Sequence, residues 1–233
     1  MGPTISKENN EIINTSDASS RKSSKRNETL FLLDWDDTLM CSTFVLKRAL
    51  TLSEDEQNVI NSLGKVVTQF LETCKNYGKI IIMTNSNGDW MRKTAKEFLK
   101  IRPEVFSDIK IISTRDKYLE KGIEKKKWKE IALEELFLKY GDLILNLICA
   151  SDSEMDIEVF KNLASRKKDI NVSTIKFKKN PSPLILIRQI KFLNKNLFDI
   201  IGNNKHYYLI KEKEKADDFQ FSFGSLLDYL FPN

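Results

Sequence analysis

Apolar residues fall along this chain in two rhythms. Short, almost unbroken runs recur at Leu30–Leu33, Lys79–Met83, Ile109–Ile112, Leu143–Ala150 and Val172–Phe177. Runs of that length, apolar toward both faces, are the mark of buried parallel strands. Between them apolar positions return at helical spacing, leaving one buried stripe per helix. One stripe is Val59, Ile60, Leu63, Val66, Val67, Phe70, Leu71 and Cys74, opened by Ser53 and Glu56 as a capping box and closed by Gly78. A second helix runs from about Asp89 to Lys100 and is ended by Pro103. A third, from about Lys127 to Tyr140, carries Trp128, Ile131, Ala132, Leu136 and Tyr140 on one side, with Gly141 closing it. Ile157, Phe160 and Ala164 mark a fourth, and Leu184–Phe198 a fifth. Strands alternating with helices predict an α/β fold, a doubly wound three-layer sandwich around a central parallel five-stranded sheet. The crossovers are expected to be right-handed.

The pattern fades at both ends. Residues 1–27 are Ser, Asn, Lys and Glu with few large apolar side chains, the composition of a disordered polar tail. The domain is expected over 28–200. Residues 201–233 read as an extension packing on or beside it, with KEKEKADD (211–218) exposed and SLLDYLF (225–231) a short docking helix. Residues 40–52 read as a connector, and 113–126 as a polar, basic one.

Composition narrows the function. Hydrophobic residues are 41% of 233, so a substantial core is within reach. A net charge of +5 does not by itself point to nucleic acid. The basic runs Lys125–Lys129, Lys176–Lys179 and Arg21–Arg26 keep a nucleic-acid partner open, against a plain solvated-surface reading. His206 is the sole histidine, which excludes a zinc site built on several histidines. It reads as a surface or edge-strand residue. Three scattered cysteines suggest a reducing compartment, hence an intracellular protein, cytoplasmic or nuclear, with Cys74 and Cys149 in the core. No apolar run approaches a membrane span and no secretory leader opens the chain, so no membrane partner is expected.

The candidate chemistry sits where strands end. The first run breaks off into Asp34, Trp35, Asp36 and Asp37. The ends of strands in open parallel sheets are where ligands bind. Two crowded carboxylates suit a hard divalent cation, but an acidic turn after a core strand reads equally well. The second strand ends at Thr84, which is also placed to cap the next helix. The fourth ends at Ser151 and Asp152, with Asp156 four residues on; Asp152 suits an N-cap as well.

Taken together and in this order, these segments resemble the haloacid dehalogenase-like superfamily of phosphohydrolases over roughly residues 29–178. DWDDT (34–38) is similar to its Asp-x-Asp-x-Thr motif, IIIMTN (80–85) to its second motif, and SDSEMD (151–156) to its fourth, with Ser151 in place of the usual Gly. DWDDTL, MTNSNGDWM, KWKEIAL, SDSEMD and NPSP also resemble an uncharacterised protist and plant branch of that superfamily. The resemblance implies a sheet order of 3-2-1-4-5 and a Mg²⁺-dependent phosphatase. It implies Asp34 as the nucleophile that becomes an aspartyl-phosphate, and Asp36 as proton donor and then base. Thr84 and a lysine would bind the phosphoryl oxygens. KKKWK (125–129) offers several candidates for it; the resemblance to the protist and plant branch, which carries the lysine after a tryptophan, favours Lys129, with Lys127 second. Asp34, Asp36 (through its carbonyl) and Asp152 would hold the metal, with Asp156 behind them. Asp37 carries no role in that scheme and reads as structural. Only short segments fill the places where relatives insert a cap domain. A capless enzyme is therefore expected, acting on a phosphorylated substrate of macromolecular size, such as a phosphoprotein. Nucleic-acid end processing and a catalytically silent binding module are the alternatives.

Overall fold

The computed structural model describes residues 28–48, 51–167, 169–203 and 205–208. The expected basic run 21–26 and the segments 211–218 and 225–231 lie outside the described residues. In chain order the elements are β1 (Glu28–Leu33), α1 (Ser42–Arg48), α2 (Glu54–Tyr77), β2 (Gly78–Thr84), α3 (Gly88–Glu97), β3 (Lys110–Ser113) and α4 (Thr114–Tyr118). There follow α5 (Trp128–Tyr140), β4 (Ile144–Ser151), α6 (Glu154–Arg166), β5 (Asn171–Lys176), α7 (Pro183–Lys195), α8 (Leu197–Ile200) and β6 (His206–Tyr208).

The strands form one sheet in the order β3-β2-β1-β4-β5-β6, and every neighbouring pair is parallel. The expected order 3-2-1-4-5 is present, but the sheet has six strands rather than five. The sixth, HYY, is too short and too polar to show an apolar run. It pairs with β5 through Thr174↔His206, and His206 Nδ1 lies 2.9 Å from Thr174 Oγ1. The domain therefore reaches past 200, and His206 occupies an edge strand.

Alternate residues of the strands enter different cores, as a pleat requires. Phe31, Leu33, Ile80, Ile82, Ile148 and Ala150 pack with α2, α3, α7 and α8. Leu30, Leu32, Ile81, Met83, Leu147 and Cys149 pack with α4, α5 and α6. Three layers result. Two connectors turn out to be folded. Residues 40–52 contain α1, and 113–126 contain α4. Both are too short for periodicity to show, and both are held by local polar bonds instead. Ser113 Oγ accepts from Asp116 N to cap α4.

The long helix α2 starts at the expected capping box. Ser53 Oγ accepts from Glu56 N, and Glu56 accepts from Ser53 N. Gly64 sits where α2 crosses the Leu99 backbone; a Cβ there would lie 1.8 Å from Leu99 O. Only glycine permits that approach.

Candidate active site

The centre of the sheet is the point where the chain winds first one way and then the other. β1 lies between β2 and β4, so their three C-terminal ends open a crevice together. Asp34 follows β1 directly, and its N–H still pairs with Ala150 O at 2.9 Å. The chain then folds into a tight turn. Trp35 O accepts from the N–H groups of Thr38, Leu39 and Met40. Asp37 takes φ +54°, a left-handed conformation that Asp tolerates better than most residues. Its carboxylate accepts from Thr43 N at 2.9 Å and Thr43 Oγ1 at 2.5 Å, which ties down the start of α1. Asp37 is thus a structural anchor.

Asp34 is buried, and its two oxygens have different partners. Oδ1 accepts from Trp35 N at 2.8 Å. Oδ2 faces Lys129 Nζ at 3.0 Å and Ser151 Oγ at 3.2 Å. Burial pushes its pKa up to about 7; Lys129 pulls against this, and the charges of Asp156 and Asp152 add to it. Lys129 comes from the first turn of α5 and is 3% exposed. Its Nζ also meets Asp156 Oδ2 at 2.5 Å. Burial alone disfavours the ammonium, but the Asp34 and Asp156 carboxylates outweigh it and leave its pKa raised. Asp156 further accepts from Ser151 Oγ at 2.7 Å.

Lys127, the second candidate, is exposed on the turn before α5 and is not brought to this cluster. The two residues differ by helical phase. Lys129 shares the inward side of α5 with Ala132, Leu133 and Leu136. Ile131 and Tyr140, expected on the buried stripe, lie at its margin and are only partly buried. The 129–132–133–136 spacing is the signal that distinguishes the lysines.

Asp36 is held by four donors. Ser42 Oγ (2.5 Å) and Trp90 Nε1 (2.9 Å) reach Oδ1. Ser86 Oγ (2.6 Å) and Thr84 Oγ1 (3.1 Å) reach Oδ2. Thr84 does not cap α3; Asn87 does, accepting from Trp90 N. Nor does Asp152 cap α6, where Ser153 takes that place. Asp152 N donates to Thr38 Oγ1 at 3.0 Å, joining the ends of β1 and β4. No donor reaches the Asp152 carboxylate among the described residues. Its pKa is pushed up to about 6 by burial and then by Asp37 and Asp156, while Lys129 and Lys176 oppose the rise. Among the described residues no three or more His, Cys, Asp or Glu side chains form a ready-made metal cage. Nothing in the local sequence marks Ser42, Ser86 and Trp90 as partners of Asp36. Their distance from Asp36 along the chain hides them, 50 and 54 residues in the last two cases.

The two basic runs within the described residues, 125–129 and 176–179, are each broken by a buried lysine. Lys129 and Lys176 are buried, with Lys176 Nζ donating to Phe177 O at 2.8 Å. No helix among the described residues is long and apolar enough to cross a membrane.

The family model for NLI interacting factor-like phosphatase (NIF) matches residues 29–134. That is a little under half of the chain, and it stops before β4, Asp152 and Asp156. Among curated proteins nothing matches the chain significantly. Among solved structures, the HAD domain of the effector protein Lem4 from Legionella pneumophila is similar, with 15% identity and a TM-score of 0.43 over 76% of this chain and 97% of that one. Sheet order, the aspartate-bearing switch point and the family match place the chain in the haloacid dehalogenase-like superfamily of hydrolases. Within it the chain is a phosphatase, a phosphoric monoester hydrolase.

Proposed function

We propose that this phosphatase transfers the phosphoryl group to Asp34 and needs Mg²⁺ to do so. The observation that carries the reading is the Asp34 carboxylate at the switch point, with Lys129 at 3.0 Å on one oxygen. The other oxygen accepts only from a backbone N–H, among the described residues. In the reaction an Asp34 oxygen attacks phosphorus and the ester P–O bond breaks. The leaving oxygen takes a proton from Asp36. Water then attacks the aspartyl-phosphate, Asp36 takes its proton, and inorganic phosphate leaves with Asp34 regenerated. Lys129 offsets charge on the phosphoryl oxygens while it holds Asp34. Asp156 orients Lys129, and Ser151 in turn holds Asp156. Thr84 stands beside the path, its hydroxyl turned to Asp36, and can turn to a phosphoryl oxygen.

The residues suit Mg²⁺. That ion takes one or two carboxylates and keeps several waters rather than filling an all-protein cage. Asp34 and the unpartnered Asp152 carboxylate, with the Asp36 carbonyl, are such a set. Burial first, and the neighbouring carboxylates after it, raise the pKa values of Asp34 and Asp152, and a bound cation would favour their charged forms. When bound, the ion offsets repulsion between carboxylate and phosphate.

The short connections beside the crevice support a reading of substrate size. Among the described residues, only α1 lies between the first motif and α2. Only α4 and short turns lie between β3 and α5. A crevice with no inserted cap domain among the described residues suits phosphate carried on a protein rather than a small metabolite. The test is hydrolysis of p-nitrophenyl phosphate and of a phosphopeptide with Mg²⁺. Wild-type protein should turn over both, and Asp34→Asn neither. Equal activity in the two proteins would overturn the assignment.

A further inference from the structure

The Asp36 carboxylate is gripped asymmetrically, and the asymmetry has a chemical consequence. Trp90 Nε1 lies 2.9 Å from Oδ1. An indole N–H can only donate. Oδ1 therefore always accepts from the indole N–H, and its other partner is Ser42 Oγ at 2.5 Å. Oδ2 faces the hydroxyls of Thr84 and Ser86, at 3.1 and 2.6 Å. A hydroxyl donates or accepts as needed. Oδ2 can thus carry a proton or lack one without losing its partners.

Trp90 is itself fixed. It occupies the first turn of α3 and is half-buried. Its carbonyl accepts from Thr94 Oγ1 at 2.8 Å, and the same hydroxyl accepts from Trp35 Nε1 at 2.9 Å. Trp35 is fully buried and sits between Asp34 and Asp36 in the chain. The two tryptophans thus interlock through Thr94. The loop that bears the aspartates sets the position of α3, and α3 returns the indole N–H to Asp36.

We infer that Trp90 is a positioning residue. It anchors Asp36 through Oδ1 and so presents Oδ2, with its two hydroxyl partners, as the oxygen that passes the proton to the leaving oxygen and later takes one from water. The inference rests on the role proposed above for Asp36. In the first step the Oδ2–H bond breaks as the ester P–O bond breaks, and the leaving alcohol departs neutral. In the second, a water proton returns to Oδ2 as the water oxygen bonds to phosphorus.

The test is Trp90→Phe, which keeps a ring on α3 and removes the N–H. Phenyl phosphate, a poor leaving group, needs protonation in the first step; p-nitrophenyl phosphate hardly does. With Mg²⁺ present, kcat for phenyl phosphate should fall about tenfold or more, part of what a general acid contributes. KM should stay near the wild-type value. With p-nitrophenyl phosphate the initial burst of nitrophenolate should keep its wild-type rate, while the steady state behind it slows. Equal losses in burst, steady state and both substrates would reduce Trp90 to a structural residue and overturn the proposal. So would wild-type rates throughout. Should Trp90→Phe fail to fold in a thermal melt, Trp90→Met, which also lacks the N–H, must show the same leaving-group pattern, or the proposal falls. A wild-type protein with no Asp34-dependent turnover would instead refute the parent reading.

Discussion

Lys129 places its ammonium 3.0 Å from Asp34 Oδ2 and bridges it to Asp156, with all three side chains withdrawn from water. Removing one member of a buried charge cluster leaves the others uncompensated, at a cost of about 3–5 kcal/mol. Lys129→Met keeps the aliphatic stem and removes the charge. It should unfold at clearly lower urea concentration than wild type at pH 7.5, and it should hydrolyse no aryl phosphate. An unchanged urea midpoint would mean that the ammonium does not stabilise these carboxylates.

The raised carboxylates make stability depend on pH in a defined direction. Asp34 titrates at about 7 when folded and near 3.8 in an ordinary setting, and Asp152 at about 6. The folded state thus holds more protons than the unfolded one across that window. The stabilisation is fully present below 3.8 and is lost as pH rises through 6 to 7. Metal-free protein should therefore melt a few degrees higher at pH 5.5 than at pH 7.5. Asp34→Asn should flatten that difference. Mg²⁺ should raise the melting temperature at pH 7.5 more than at pH 5.5, where protons compete for the same oxygens. Identical melting curves with EDTA and with Mg²⁺ at pH 7.5 would count against the metal site.

Gly64 offers a prediction about the frame rather than the site. Alanine in a helix interior ordinarily gains up to about 1 kcal/mol over glycine. Here its Cβ would meet Leu99 O at 1.8 Å, a backbone atom that cannot swing aside. Overpacking of this kind costs about 1–3 kcal/mol, so the clash wins. Gly64→Ala should lower the urea midpoint. A stabilised variant would show that α2 and the Leu99 segment can separate.

The contrast between Asp34 and Asp36 shows how much was legible in the chain. Asp34 could be placed from local pattern, because an apolar run that stops at an acid sets both the strand and its end. Ser53 with Glu56 was readable for the same reason, whereas the order of the central strands came only from the family resemblance of the motifs. The grip on Asp36 was not readable. It comes from Ser42 on a helix too short to register, and from Ser86 and Trp90 across β2. Such contacts exist only once the sheet has assembled. Lys129 lay between the two cases. A lysine facing inward violates the apolar stripe of its helix, and only the carboxylates opposite explain it. β6 escaped because three residues at a sheet edge need no apolar run to pair.

The roles of the two first-motif aspartates should be separable by trapping. Asp34→Asn leaves an amide that cannot form the acyl-phosphate. Asp36→Asn keeps the nucleophile and its own backbone carbonyl. It loses the proton donor and base, each contributing about 10²–10⁴-fold in typical cases. With p-nitrophenyl phosphate the leaving group departs without help, so phosphorylation of Asp34 proceeds. Hydrolysis of the intermediate still needs a base to activate water, so it stalls. Asp36→Asn should therefore accumulate a phosphoryl adduct on Asp34, while Asp34→Asn acquires none. Mass spectrometry of protein quenched in acid after mixing with substrate and Mg²⁺ reads the outcome directly. The four donors around residue 36 sharpen the expectation. An asparagine amide offers one acceptor oxygen and one donor nitrogen, so it can satisfy Trp90 on one side and the hydroxyls of Thr84 and Ser86 on the other. The side chain should stay in place, and the stall then reports lost proton transfer rather than a collapsed loop. An adduct on any residue other than Asp34 would overturn the mechanism.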